Sequence, residues 1–148
     1  MMQNSFNKHQ GFTLLEMLVV LVIIGLLAGL VGPRLLSNVD KANVKTAQTQ
    51  IKMLKGSIGT LYLDIARYPT NEEGFALLNT PPSDEQTKPF WKGPYLDGDV
   101  PLDPWNRPYQ YSVPGSKSQP FALYSFGADG QPGGVEYNAD IGLLPPRD

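Results

Sequence analysis

Glu16 places a carboxylate inside an otherwise uncharged apolar run, with the pair Gly11-Phe12 just ahead of it. A charge at membrane depth is expensive and usually has a partner. Cutting the chain after Gly11 would create an amine on Phe12, one helical turn from Glu16. Ammonium and carboxylate would then share one depth, within a chain or between staggered neighbours. The residues alone leave open a Glu16 that snorkels to the lipid headgroups. A second group lies near the C-terminus, where Asp129, Asn138 and Asp140 offer oxygens to a long glycine-rich segment, 127–142, poor in apolar anchors. Calcium takes about 6–8 oxygens from carboxylates, amides and backbone carbonyls, which glycines allow to turn inward. A solvated acidic loop is the plainer alternative, and the EF-hand pattern is absent. The third group is Asp97, Asp99 and Asp103. Two of these could form the carboxylate pair of a glycosidase, but aspartates among prolines and glycines are ordinary turn residues.

Composition removes most other chemistry. There is no cysteine and one histidine, His9, so the chain alone builds no disulfide, thiol nucleophile, Ser-His-Asp triad or multi-histidine metal site. No P-loop pattern occurs. Twelve basic residues against fourteen acidic ones, a net charge of -2, argue against a nucleic-acid partner. Charged residues are 18% of the 148, below the roughly 25% of soluble domains, as expected if part of the chain avoids water.

The elements that must position these groups follow from the apolar pattern. From Met17 to Gly32 no charge interrupts the run; counted from Phe12 it is 21 residues long. At about 1.5 Å per residue, a helix of that length spans about 30 Å, a bilayer's hydrocarbon thickness. The run is longer than the core of a secretory signal peptide, and no cysteine is present for a lipoprotein signal. Lys8 before the run and Arg34, Lys41 and Lys45 after it leave its orientation undecided. Pro33 is expected to kink or loosen the helix. Beyond it, Val44, Ala47, Ile51, Leu54, Ile58, Leu61, Ile65 and Tyr68 recur at steps of three and four. That is the one-sided stripe of an amphipathic helix, expected to pack on the chain's own globular part. Gly56 and Gly59 are read as allowing close packing. Pro69 is expected to end the helix. Thr70-Asn71-Glu72-Glu73 reads as a capping box for a short second helix. Residues 83–108 read as an ordered loop, and 109–113 and 121–126 as paired strands. The expected class is α+β: a long N-terminal helix, membrane half plus amphipathic half, packed on a small antiparallel sheet.

Gly11-Phe12-Thr13-Leu14-Leu15-Glu16 followed by an apolar run resembles the class III signal of type IV pilins and pseudopilins. Asp103-Pro104-Trp105-Asn106-Arg107-Pro108-Tyr109-Gln110-Tyr111 narrows the resemblance to the major pseudopilins of type II secretion systems, whose pattern has glycine after the tryptophan. Leu123 to Gly130 and Asn138-Ala139-Asp140-Ile141-Gly142 resemble that group's C-terminal calcium loop, with Asn138 where Asp is common and Leu143-Leu144-Pro145-Pro146 in place of an Asn-Trp ending. The resemblance implies a leader of residues 1–11, a transmembrane and assembly helix of 12–33 and a periplasmic globular domain of 34–148. It implies cleavage between Gly11 and Phe12 by a prepilin peptidase, N-methylation of Phe12, and Glu16 as the residue that meets a neighbour's amine. It implies calcium as cofactor, held by Asp129, Asp140, the carbonyl of Phe126 and Asn138. The implied function is structural rather than enzymatic. A homopolymer, the pseudopilus, would grow from the Gram-negative inner membrane and help push folded exoproteins through an outer-membrane secretin channel. Minor pseudopilins, an inner-membrane secretion platform and membrane lipid would be its other partners. A type IV pilus major pilin is the nearest alternative, disfavoured because such pilins usually carry a C-terminal disulfide. A membrane-anchored periplasmic carboxylate hydrolase is more remote.

Overall fold

The structure, a computed structural model, describes residues 11–146. The expected leader lies outside them, Gly11 excepted. The chain divides after Asn38 into two compact units, and one helix, α1 (Leu14–Ile65), contributes to both.

In the first unit, residues 11–31 are all exposed, with Leu14 at 88% and Leu26 at 71%. The exposed Met17, Leu18, Val19, Val20 and Leu21 cover every side of the helix, so no face is reserved for a core. Among the described residues, α1 is the helix long and apolar enough to cross a membrane. It continues through Pro33 rather than ending there. Proline lacks the N–H that would donate to the carbonyl of Gly29, so one helical bond is missing at that turn.

In the second unit the expected stripe is the core. Ala47, Ile51, Leu54, Ile58, Leu61 and Ile65 are buried, and Val44 and Tyr68 are partly buried against them. They meet Leu77, Leu78, Leu96, Tyr109, Phe121, Leu123 and Ile141. Each fully buried leucine or isoleucine stabilises the unit by about 1.5–3 kcal/mol. Gly56 and Gly59 do not serve close packing within the chain: a Cβ on either would meet nothing within 4 Å. Both lie off the stripe, on the outer face.

α1 ends at Ile65, before Pro69, because Ala66 turns left-handed at φ 57° while its N–H still bonds to Tyr62. Thr70 and Glu73 form the expected capping box: the Thr70 N–H donates to Glu73 at 3.0 Å and the Glu73 N–H to Thr70 Oγ1 at 3.2 Å. It closes a turn that leads into a five-residue 3-10 helix, Gly74–Leu78, rather than capping an α-helix. Arg67 fastens the junction with a two-pronged pair to Glu73 at 2.7 and 2.8 Å and a third bond to Asp84 at 3.3 Å. The hydrogen bond from Arg67 holds the Glu73 carboxyl below its ordinary value of 4.5.

The sheet has the order β1 (Gln110–Ser112), β2 (Ala122–Ser125), β3 (Ile141–Leu143), antiparallel throughout. Tyr111 faces Leu123, and Tyr124 faces Gly142. β1 and β2 are the two expected strands. β3 is an addition that begins at the end of the segment read as loop. Gly142, at φ +123°, lets β3 lie close, because a Cβ there would collide with the Leu123 carbonyl and reach within 3.0 Å of Ile51 Cδ1.

Candidate functional site

Two places bring the sequence-predicted residues into view. At the start of α1, Gly11, Phe12 and Thr13 precede the helix and are exposed. Glu16 does not stand alone there. Its Oε2 accepts from the Thr13 N–H at 2.7 Å and from the Thr13 hydroxyl at 3.0 Å, and the Glu16 N–H donates to Thr13 Oγ1 at 3.2 Å. Thr13 and Glu16 therefore form a reciprocal capping box, satisfying backbone donors that every helix start leaves orphaned. The bond to the Thr13 N–H directs the carboxylate toward the chain end that carries Phe12.

The second place begins at Asp103, which is 3% exposed and does not belong to an open carboxylate pair. Its Oδ1 accepts from the N–H groups of Trp105 at 3.0 Å and Arg107 at 2.9 Å, and its Oδ2 from the Ser125 hydroxyl at 2.6 Å. Asn106 makes the turn at φ 62°, a left-handed conformation that asparagine tolerates where glycine would be the default. Ser125 Oγ in turn accepts from the Gly127 N–H at 3.2 Å, so this turn is tied to the start of the glycine-rich segment. Asp97 and Asp99 are exposed.

Within the segment, Asp140 lies just before β3. Its Oδ2 accepts from the Gly133 N–H at 2.9 Å, while its Oδ1 is buried with no hydrogen-bond partner. A buried carboxylate oxygen left this way is costly and suits a cation. Phe126 and Asp140 line one cavity with Tyr124 and Gly133, and burial, then Asp140, push the Tyr124 hydroxyl's pKa up. Asp129 and Asn138 do not line it. Asp129 Oδ1 accepts from Gln131 N–H at 3.0 Å, and the Asn138 N–H bonds to the Val135 carbonyl at 3.0 Å. Among the described residues, no three His, Cys, Asp or Glu side chains converge as a metal site. A cation here would therefore draw much of its shell from amide and backbone oxygens, a donor set that calcium accepts.

Sequence reasoning did not foresee the Thr13–Glu16 box, though its T-x-x-E spacing was legible. It also did not foresee that Arg107, quoted only as part of a motif, reaches the carbonyls of Gly127 and Ala128 some 20 residues away in sequence.

Residues 34–144 match the family model described as "Type II secretion system (T2SS), protein G", and residues 6–32 match the "Prokaryotic N-terminal methylation motif". The chain is similar to the type II secretion system core protein G of Pseudomonas aeruginosa, with 45% identity over 92% of this chain and 95% of that protein. It is similarly related to the core protein G of Vibrio cholerae, with 42% identity over 93% of each. Among solved structures, it resembles the major pseudopilin from the type 2 secretion system of enterohaemorrhagic Escherichia coli. That match has a TM-score of 0.58 and 32% identity, and covers 74% of this chain and 92% of the other.

Proposed function

Since the chain belongs to the type II secretion system protein G family, we propose that it is the structural major subunit of a periplasmic pseudopilus. It polymerises through α1 to drive folded exoproteins across the outer membrane. The observation that carries this reading is α1 itself, apolar and exposed on every side up to Val31 and a one-sided core stripe beyond Val44. Such a half-helix needs either lipid or the same half-helix of sister chains around it. A membrane anchor and a fibre subunit are thus two states of one surface.

The finer steps follow from the start of the helix. Prepilin peptidase removes residues 1–11 and methylates Phe12. The globular part then stands in the periplasm, above a single span in the inner membrane. The homopolymer works with minor pseudopilins, the secretion platform and the outer-membrane secretin. Glu16 is the assembly residue, and its carboxylate, capped by Thr13 in the single chain, turns to a neighbour's amine in the fibre. Calcium is the cofactor, with Asp140 as its anchor and the Phe126 carbonyl beside it; Asp129 and Asn138, which lie outside that cavity in the single chain, would turn in to complete its shell. When bound, it ties the glycine-rich segment to the end of β2.

The test is mass analysis of the chain taken from membranes, alongside Glu16→Ala. A terminus at methylated Phe12 is expected in both, with fibres abundant in the parent and largely lost in the variant. A parent that keeps its first eleven residues while forming fibres would overturn the processing step. Normal fibres from Glu16→Ala would overturn the role of Glu16.

A further inference from the structure

We propose that a lysine flank of α1 in the globular unit is an assembly surface, and that it takes the Asp97-Gly98-Asp99 tip of a second copy of this chain. At about 3.6 residues per turn, Lys41, Lys45, Lys52 and Lys55 lie within about 80° of one another around the helix, over about 21 Å of its length. All four are exposed. None has an acidic group within 4 Å among the described residues. Like charges three or four residues apart on a helix repel, so the single chain holds Lys41 beside Lys45, and Lys52 beside Lys55, at a cost. The rest of the chain has the opposite balance: residues 56–148 carry twelve acidic residues against six basic ones.

Most of those acids are engaged within the chain. Glu73 and Asp84 hold Arg67, Asp64 meets Lys92, Glu85 meets Lys88, and Asp103 is buried. Asp97 and Asp99 are exposed and form no ion pair among the described residues. Their tip is firmly held. Leu96 is buried and Val100 packs on the core at either side of it. Gly98 turns at φ +100°, and Asn79 Nδ2 donates to its carbonyl at 2.8 Å. Two carboxylates on one anchored tip suit successive lysines of a helix flank better than Glu72 or Glu136, each a single exposed acid. The flank and the tip are different surfaces of one unit, so each copy offers one to either neighbour. A head-to-tail contact of this kind need not close on itself and can extend an open helical filament. The inference rests on the fibre reading and adds to it the contact that sets neighbouring globular units in register, since charge pairs fix register where apolar contact is non-directional.

Fibre yield and melting midpoint, measured on three full-chain variants beside the parent, test the contact. Lys45→Glu with Lys52→Glu, and Asp97→Lys with Asp99→Lys, are each expected to lower fibre yield by about tenfold or more, through like-charge repulsion. Their midpoints should stay close to the parent's, because all four side chains are exposed. The chain with all four substitutions is expected to recover about half or more of the parent's fibres, the attraction being restored with its signs exchanged. The chain has no cysteine, so Lys52→Cys in one copy and Asp97→Cys in another report the contact directly. Oxidised fibres that mix the two are expected to give a disulfide-linked dimer that fibres of either alone do not. If the parent forms no fibres, the fibre reading fails and this contact falls with it. If the parent forms fibres, three results overturn the contact and leave the fibre reading standing: full yield from either reversal, no recovery in a folded fourfold variant, or no mixed dimer. Full yield from the aspartate reversal beside loss in the lysine reversal would assign the flank to another anionic partner, such as lipid phosphate.

Discussion

The two halves of α1 are made of the same kinds of residue in different arrangements. Before Asn38, leucines, valines and isoleucines occupy every side and all are exposed. Beyond it, Leu54, Ile58 and Leu61 are wholly buried, while Lys52, Lys55 and Leu63 face outward. The second half carries its own partners in the chain, in the 3-10 helix and the sheet. The first half has no buried contact among the described residues, and lipid or copies of itself are its proposed company. Truncation should therefore be costly in one half and nearly silent in the other. Leu54→Ala is expected to destabilise the globular unit by about 2–5 kcal/mol, the cost of a buried leucine and the cavity it leaves. Leu21→Ala should change the same unfolding transition by less than about 0.5 kcal/mol. Denaturant unfolding of the full chain in detergent, followed through Trp91 and Trp105, checks both. Equal losses from the two variants would break the contrast.

What was legible in the sequence follows the same division. The membrane run and the stripe from Val44 to Tyr68 could be read because burial in lipid or against a core imposes a repeating pattern on many residues. β3 could not be read. Ile141-Gly142-Leu143 is three residues with a glycine at positive φ, and it is a strand only because β2 lies beside it. The capping box at Thr70–Glu73 is legible from its spacing; the identical spacing at Thr13–Glu16 is hidden by the apolar run, which makes a charged partner for Glu16 the more prominent expectation. Asp103 was correctly a turn residue, but its reach to Ser125 joins positions 22 apart in sequence, which no local pattern encodes. Gly56 and Gly59 misled because a glycine's absence of side chain fits both close packing and open space.

Calcium removal sharpens the contrast further, since the proposed ligands all lie in the globular unit. With calcium at about 100 times its dissociation constant, that unit should gain about 2.7 kcal/mol, all of it lost on chelation. The melting midpoint of the full chain should fall in EGTA, while the helical signal of the membrane half in detergent stays unchanged. Equal midpoints in calcium and EGTA would remove the ion from the account of this fold.

The smallest expected effect is the pH dependence of the Arg67 junction, which again belongs to the globular unit alone. Arg67 holds the Glu73 carboxyl below its ordinary value of 4.5, with its hydrogen bond as the main cause and the Thr70 N–H assisting. A carboxyl whose value is lowered by folding binds protons more readily when unfolded. Its contribution is therefore complete above pH 4.5 and is lost as the pH falls through the lowered folded value. Asp84, held at about 2 chiefly by Thr87, keeps its charge further into acid and leaves Arg67 one partner there. Glu73→Gln should cost about 1 kcal/mol at neutral pH, the upper end for a partly exposed pair. The gap between parent and variant should narrow steadily below pH 4.5 as the parent's own Glu73 takes up its proton. Melting midpoints of the two chains from pH 7 to pH 3 measure that gap. A gap that stays constant through the acid range would mean that Arg67 and Glu73 hold the junction by shape rather than by charge.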